Sequence, residues 1–260
     1  VIKDSAGNKE TITLGRYVFN EDGTINTALS KTEPGEQLKT SSSESDYFTE
    51  GLKDSSTTNT HAKDIEDFKN KVTNTTHGYY IGRYEARDKV ATAERIDSDN
   101  KTNQVVCTAN NYVYNYITQP KVAELSRGMY SDSNFESDLM NSYAWDTAIV
   151  FLQKFDNRAN KASLKPYSRQ NSLNTKSEGL ANQGTNNLSD ASKQDVICNV
   201  YDMASNCYEW TTETSSVSYD PCTNRGASYG GGNYYTSSRS YDNTTSYSYD
   251  DISFRSLLYM

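Results

Sequence analysis

The chain has 260 residues, enough for one large domain or two small ones with a real core, yet only 34% of them are hydrophobic. A net charge of −8 speaks against a nucleic-acid partner, whose phosphates would be repelled. No apolar run approaches the roughly 18 residues that a membrane helix needs, so membrane insertion is not expected, and no signal peptide is visible.

In chain order, Val1 to Phe19 reads as a small hairpin: Val1-Ile2, a turn at Gly7-Asn8, then the alternating run Thr11 to Leu14 leading into Tyr17-Val18-Phe19. Ala28 to Thr60 is Ser/Thr-rich and nearly without aliphatic residues, which predicts a long excursion lacking regular structure. Ile65, Phe68 and Val72 recur at helical spacing and predict a short helix from about His61. Gly78 to Ala86 is the first strongly strand-like stretch, and Val105-Val106-Cys107 is a candidate short strand.

Pro120 is placed to open a helix reaching about Met129, with Val122, Leu125 and Met129 on one face. Ser133 lies three residues before Glu136, the spacing of a capping box, and Phe135, Leu139, Tyr143, Trp145, Ile149 and Leu152 follow. This predicts a second helix to about Phe155, the hydrophobic anchor of the chain. Asn157 to Lys193 reads as another polar excursion, followed by two short strands at Val196–Tyr201 and Tyr208–Thr212. No internal repeat and no sharp break in composition divides the chain, so one domain is expected over 1–260.

The most informative stretch is Ser228 to Asp251, where every one of 24 residues except Arg239 is Ser, Tyr, Gly, Asn, Thr or Asp. It is too poor in aliphatic residues to form a core, and too rich in tyrosine for a disordered tail. Binding loops favour this composition, because tyrosine offers large amphipathic contact area at low entropic cost while small polar residues adapt their hydrogen bonds. The segment therefore reads as a displayed surface rather than a linker. Tyr229, Tyr234, Tyr235, Tyr241, Tyr247 and Tyr249 are its candidate anchors, and Asn233, Ser240, Asp242 and Asn243 its adjustable hydrogen-bonding residues. Roughly half of the tyrosines are expected only to pack on their neighbours, since a minority of contact residues dominates an interface.

Four short motifs stand in a telling order: Gly78-Tyr79-Tyr80-Ile81-Gly82-Arg83-Tyr84-Glu85, Asp202-Met203-Ala204-Ser205-Asn206-Cys207-Tyr208-Glu209-Trp210-Thr211, Arg225-Gly226-Ala227-Ser228-Tyr229, and Ile252-Ser253-Phe254-Arg255-Ser256-Leu257. Together they resemble the motifs of the formylglycine-generating-enzyme (sulfatase-modifying factor) family. The resemblance implies an α+β, elaborated C-type-lectin fold with two main helices, small mixed sheets and long loops. On that reading, residues 1–77 are an N-terminal hairpin and loop elaboration, 78–260 the family-like core, and 228–251 the binding segment held at its ends by Arg225-Gly226 and Phe254-Arg255.

The departures from the family bear on chemistry. Its oxidase activity is implied to run on cysteines between the third and fourth motifs, and this chain has none from Ser228 to Asp251. A hydroxyl cannot replace a thiolate as soft metal ligand or redox nucleophile. His61 and His77 are expected at the surface, and Gly230-Gly231-Gly232 lacks the lysine and context of a phosphate loop. No catalytic residues are assigned, and no cofactor is required. The alternative reading is a formylglycine-generating-type oxidase or another enzyme on the same scaffold; a third is a structural cap of a fibre or pilus.

The segment is also similar to that of variable proteins of diversity-generating retroelements, which use a C-type-lectin fold with a hypervariable C-terminal stretch built from Asn, Tyr, Ser, Asp, Gly and Thr. That resemblance implies a protein or cell-surface ligand and a place outside the cell, on a cell surface or a virion. Asn206 and Glu209 match positions that resemble calcium ligands in the first family, and two hard oxygen donors suit Ca2+, with a bond from Glu209 to the backbone or to Arg225 as the structural alternative. Cys107, Cys198, Cys207 and Cys222 allow three pairings. Cys207 and Cys222 flank an expected hairpin, so a disulfide between them is the first choice, implying an oxidising compartment.

Overall fold

A computed structural model describes residues 2–3, 9–51, 65–89, 104–108, 113–130, 134–155, 166–170, 195–230 and 234–260. Strands β1 (Ile2–Lys3) and β2 (Lys9–Glu10) pair antiparallel, and β3 (Phe48–Glu50) follows. Helix α1 (Ile65–Asn70) runs into a π-helical turn, Lys71–Thr75. Next come β4 (Tyr80–Ile81), β5 (Arg87–Asp88) and β6 (Val105–Val106), the last two paired antiparallel. Helix α2 (Gln119–Arg127), β7 (Glu136–Leu139), helix α3 (Ser142–Lys154) and a 3-10 turn, Tyr167–Arg169, lead to the β8 (Val196–Ile197) and β9 (Val200–Tyr201) hairpin. The chain closes with β10 (Tyr208–Ser215), β11 (Cys222–Arg225), β12 (Arg239–Asn243), β13 (Ile252–Phe254) and β14 (Ser256–Tyr259). Over the described residues this is a mixed α+β structure with three α-helices and several small, mainly antiparallel sheets.

Strand β10 is the axis. Along one edge it pairs antiparallel with β11, Glu209 opposite Arg225 and Thr214 opposite Cys222, and β12 lies outside β11. Along the other edge β13 runs parallel beside Tyr208–Trp210, and β3 runs antiparallel beside Glu213–Ser215. The chain between β11 and β13, which contains the tyrosine-rich segment, therefore passes from one side of β10 to the other. A step at Arg255 moves the chain into a second sheet, where β14 lies between β4 and β7.

The apolar faces close around these sheets. Tyr143, Trp145, Ile149 and Leu152 of α3 are buried with Phe68 of α1 and Tyr259 of β14, while Val122, Ala123 and Leu125 of α2 are buried with Trp210 and Phe254. The Tyr and Trp stripe of α3 is thus core, as its helical spacing predicts. Helix α3 starts later than the Ser133–Glu136 spacing suggests. Its cap is Asn141, whose Oδ1 accepts from the N–H of Ala144 at 2.9 Å. Residues 136–139 are instead a strand, because Glu136 to Leu139 pair residue for residue with Tyr259 to Ser256, and the long-range ladder outweighs the local capping signal. Phe135 is accordingly exposed rather than part of the helix face.

Two further expectations are corrected. The stretch from Ala28 to Thr60 is not without regular structure, since Phe48–Glu50 joins the central sheet. A Cys207–Cys222 disulfide is excluded by register: Cys222 faces Thr214, seven residues beyond Cys207 on β10, roughly 20 Å away at the rise of a strand and past the reach of an S–S bond. None of the four cysteines is in a disulfide, and Cys207 and Cys222 are buried. Glycine is required at 226, where φ is +78° and a Cβ would stand 2.5 Å from the carbonyl oxygen of Met203.

Candidate functional site

Beneath the tyrosine-rich segment lies a buried ionic frame drawn from five parts of the chain. Glu213 of β10 receives Arg239 of β12 through Nε (3.1 Å), Arg225 of β11 through Nη1 (3.5 Å), and Arg16 from the N-terminal region through Nη2 (3.2 Å). Asp146 of α3 receives Arg225 Nη2 at 2.5 Å and also Arg239 Nη2. Burial pushes the Glu213 carboxyl up, but the three guanidiniums together hold it below its ordinary value. Glu50 of β3 lies beside this frame: burial, with Glu213 nearby, drives its carboxyl up, and it accepts from Ser142 N–H (2.6 Å) and the Thr212 hydroxyl (2.8 Å). Removing one member of such a frame leaves an uncompensated buried charge, which costs about 3–5 kcal/mol.

A second lock holds the C-terminal exit. Arg255 clasps Glu209 through Nη2 (2.7 Å) and Nε (3.2 Å) and donates to the carbonyls of Gly82 (2.6 Å) and Tyr201 (2.7 Å). The segment is also fastened along its length. The Trp145 indole N–H donates to the Thr236 carbonyl at 3.0 Å, Thr236 N–H donates to Gln170, and the Ser237 hydroxyl to Ser168. At its ends, the Ser228 hydroxyl donates to Asp251 Oδ2 at 2.7 Å and the Tyr229 hydroxyl to Asp250 Oδ2 at 2.8 Å.

On this frame the sequence-predicted residues separate into two groups. Tyr234, Tyr247 and Tyr249 are 39%, 37% and 54% exposed. Tyr234 meets Tyr208 edge-on (centroids 5.3 Å apart), Tyr247 meets the buried Trp210 edge-on (6.5 Å), and Tyr249 stacks on Tyr247 with planes 16° apart. Tyr208 and Trp210 are two residues apart on β10 and so face the same way, making an aromatic row whose footing is buried at Trp210 and half-buried at Tyr208, with exposed upper rings. Tyr229 is half-buried beside it. Tyr235 and Tyr241 do not join: Arg169 lies over the Tyr235 ring (4.4 Å), and Tyr241 packs edge-on against Phe48 (5.5 Å). Ser240, opposite Asn224, together with Asp242 and Asn243 belongs to β12. Asn233 lies outside the described residues.

The calcium expectation at Asn206 and Glu209 does not fit. Both Glu209 oxygens are taken by Arg255 rather than by Arg225, while Asn206 Nδ2 donates to Glu85, which also accepts from Cys207 N–H at 3.1 Å, and only Asn206 Oδ1 is left buried without a hydrogen-bond partner. Among the described residues no group of three or more acidic, histidine or cysteine side chains is arranged to hold a metal ion. Burial, reinforced by the charges of Glu209 and Asp202, pushes the Glu85 carboxyl well above its ordinary value. Of the two histidines, His77 is exposed and its Nδ1 lies 2.8 Å from the Thr73 carbonyl; His61 lies outside the described residues.

Two features of the surface went unmarked in the sequence. Tyr208 carries a strand signal and also supports Tyr234, a role visible in the sequence only as the alternation Tyr208/Trp210 set against Tyr247/Tyr249. Asp250 and Asp251 closed the segment but were not counted as surface residues, and both are half-exposed. Set against known protein families, curated proteins and solved structures, the chain finds no match.

Proposed function

We propose that this chain is a non-catalytic ligand-binding protein of the elaborated C-type-lectin fold, a variable protein of the diversity-generating-retroelement kind, which presents residues 228–251 to a protein or cell-surface ligand outside the cell or on a virion. The observation that carries this reading is the aromatic row: Tyr234, Tyr247 and Tyr249 stand exposed on a footing of Tyr208 and Trp210, over a frame whose charged groups are buried and paired. Monomeric surfaces seldom hold large aromatic side chains together in solvent without a use, and aromatic anchors commonly dominate interface energy.

The family resemblance draws support from the way its four motifs meet. Glu85 of the first motif accepts from Cys207 of the second, Gly226 of the third packs against the Met203 carbonyl, and Arg255 of the fourth clasps Glu209. Residues separated by more than 100 positions thus form one buried unit, from which the display segment leaves and to which it returns.

The reading is tested by randomising Tyr234, Tyr247 and Tyr249 in one library and Arg225, Arg239 and Arg255 in another, then scoring protease-resistant, folded protein. The first library is expected to remain mostly folded and the second to collapse; equal loss in both would contradict a display segment on a fixed frame. The enzymatic alternative is tested with a cysteine-containing peptide and copper, where turnover would overturn the non-catalytic reading.

A further inference from the structure

A cavity of about 520 Å³ opens between α3, the π-helical turn Lys71–Thr75, β4 and residues 11–14, and it shares no residue with the aromatic row. Its inner wall is aliphatic: Leu14, Val72, Ala148 and Leu152 are buried, with Ile12 and Val200 half-buried beside them. The polar groups of that wall are satisfied by the protein itself. The Thr147 hydroxyl accepts from Gly15 N–H at 3.2 Å and donates to the Gly15 carbonyl at 3.4 Å, and the Tyr79 hydroxyl donates to the Ala144 carbonyl at 2.8 Å. No lining residue is an aspartate, glutamate, lysine or arginine. Polarity returns only at the opening, where Thr11, Thr13, Thr73 and His77 are exposed. His77 holds a left-handed backbone at φ +56°, uncommon for a residue other than glycine. It follows a turn closed by an i to i+5 bond, from Thr76 N–H to the Lys71 carbonyl at 2.9 Å. Strained backbone and π-type turns both gather at functional sites. A carbonyl only accepts, so the His77 Nδ1 atom 2.8 Å from the Thr73 carbonyl carries the ring proton; Nε2 accepts in the neutral ring and donates in the cation.

We propose that this cavity binds a medium-chain fatty acid, its tail against Leu14, Val72, Ala148 and Leu152 and its carboxyl at His77. The site is independent of the recognition face and stands or falls without it. Its volume lies in the range of small-ligand pockets, and a wall of branched aliphatic side chains suits a flexible chain better than a flat ring. A polar head group placed deep inside would meet donors and acceptors that are already paired, and burying it there is unfavourable. At the opening the imidazole matches a carboxyl in either protonation state: Nε2 accepts from the neutral acid or, as the cation, donates to the carboxylate. No lining carboxylate is present to balance the charge of an alkylamine.

The test is calorimetric titration of the full chain with octanoic, decanoic and dodecanoic acid below their micellar concentrations, with decylamine for comparison, on the parent and on A148F, V200F and H77N. The two phenylalanine variants fill the cavity from opposite walls; V200F alters a half-buried position and keeps the test open if A148F does not fold. Asparagine at 77 tolerates the left-handed backbone and removes the imidazole. One acid per chain is expected, with affinity rising about tenfold for each two methylenes added, the worth of burying them. Binding should weaken about tenfold or more in folded A148F or V200F, and about threefold or more in H77N with the chain-length increment kept; decylamine should bind more weakly than decanoic acid. No saturable binding, affinity that ignores chain length, or binding unchanged in the cavity-filling variants overturns the site. Decylamine binding as tightly as decanoic acid, or H77N binding as the parent does, overturns the place given to the carboxyl.

Discussion

Arg239 reaches out of the tyrosine-rich segment to set its Nε 3.1 Å from both carboxylate oxygens of Glu213, a buried residue of the strand about which the sheet is built. The segment's single cation is thus spent on holding the segment, not on meeting a ligand. Replacing it with methionine keeps the volume of the stem but leaves Asp146 and Glu213 short of a partner, so R239M is expected to lose about 3–5 kcal/mol in chemical denaturation. A loss within about 0.5 kcal/mol of zero, the range of ordinary surface substitutions, would show that the frame does not depend on it.

Ser228 and Asp251 close the segment at its base. In S228A the bond to Asp251 and the one accepted from Gly230 N–H (3.2 Å) are both lost, so about 1–3 kcal/mol is expected. The more telling change is local: amide exchange from residues 228–230 and 247–251 should accelerate while β10 and β11 stay protected. Uniform acceleration would mean that the closure supports the whole fold instead of one loop.

Glu85 makes a prediction about pH. Burial, with Glu209 and Asp202 near, raises its carboxyl well above 4.5, so the folded chain keeps this proton where the unfolded chain has lost it. The stability it contributes is complete below its unfolded value and is lost as pH rises through the folded one. Unfolding free energy should therefore fall as pH rises above the ordinary carboxylate range in the parent, and fall less steeply in E85Q. Identical slopes would remove Glu85 from the account. Glu213 acts in the opposite sense: its lowered carboxyl contributes stability that is present above 4.5 and lost as pH falls through the folded value.

The cysteines can be read by mass. Native protein treated with a thiol reagent and no reductant is expected to label first at exposed Cys198 and to reach four labels only on unfolding, because burial pushes the Cys207 and Cys222 thiols up and hides them. A peptide pair linking Cys207 to Cys222 would contradict the register of β10 and β11.

How much of this was legible beforehand depends on distance along the chain. Helix α2 was readable from Pro120 and the spacing of Val122 and Leu125, which are local. The start of α3 was not, because the Ser133–Glu136 spacing is equally local and loses to a ladder with Ser256–Tyr259, more than 100 residues away. β3 carries one strongly apolar residue, Phe48, and becomes a strand only by pairing with β10. The pairing of Arg16 with Glu213 spans 197 positions and has no sequence signature at all. Composition singles out the segment 228–251, and three of its six tyrosines are well exposed. Composition could not tell Tyr247 from Tyr241, because that distinction rests on which neighbour, Trp210 or Phe48, lies beneath each ring.

The central claim, that Tyr234, Tyr247 and Tyr249 form the recognition face, is tested most directly by tyrosine nitration mapped by mass spectrometry, with and without a random-library peptide enriched on the immobilised chain. In the free protein these three should react together with exposed Tyr80 and Tyr219, while buried Tyr143, Tyr167 and Tyr259 do not. With peptide bound, the three should become protected and Tyr80 and Tyr219 should react as before. Protection that falls elsewhere, or three rings as unreactive in the free chain as Tyr143, would contradict the account.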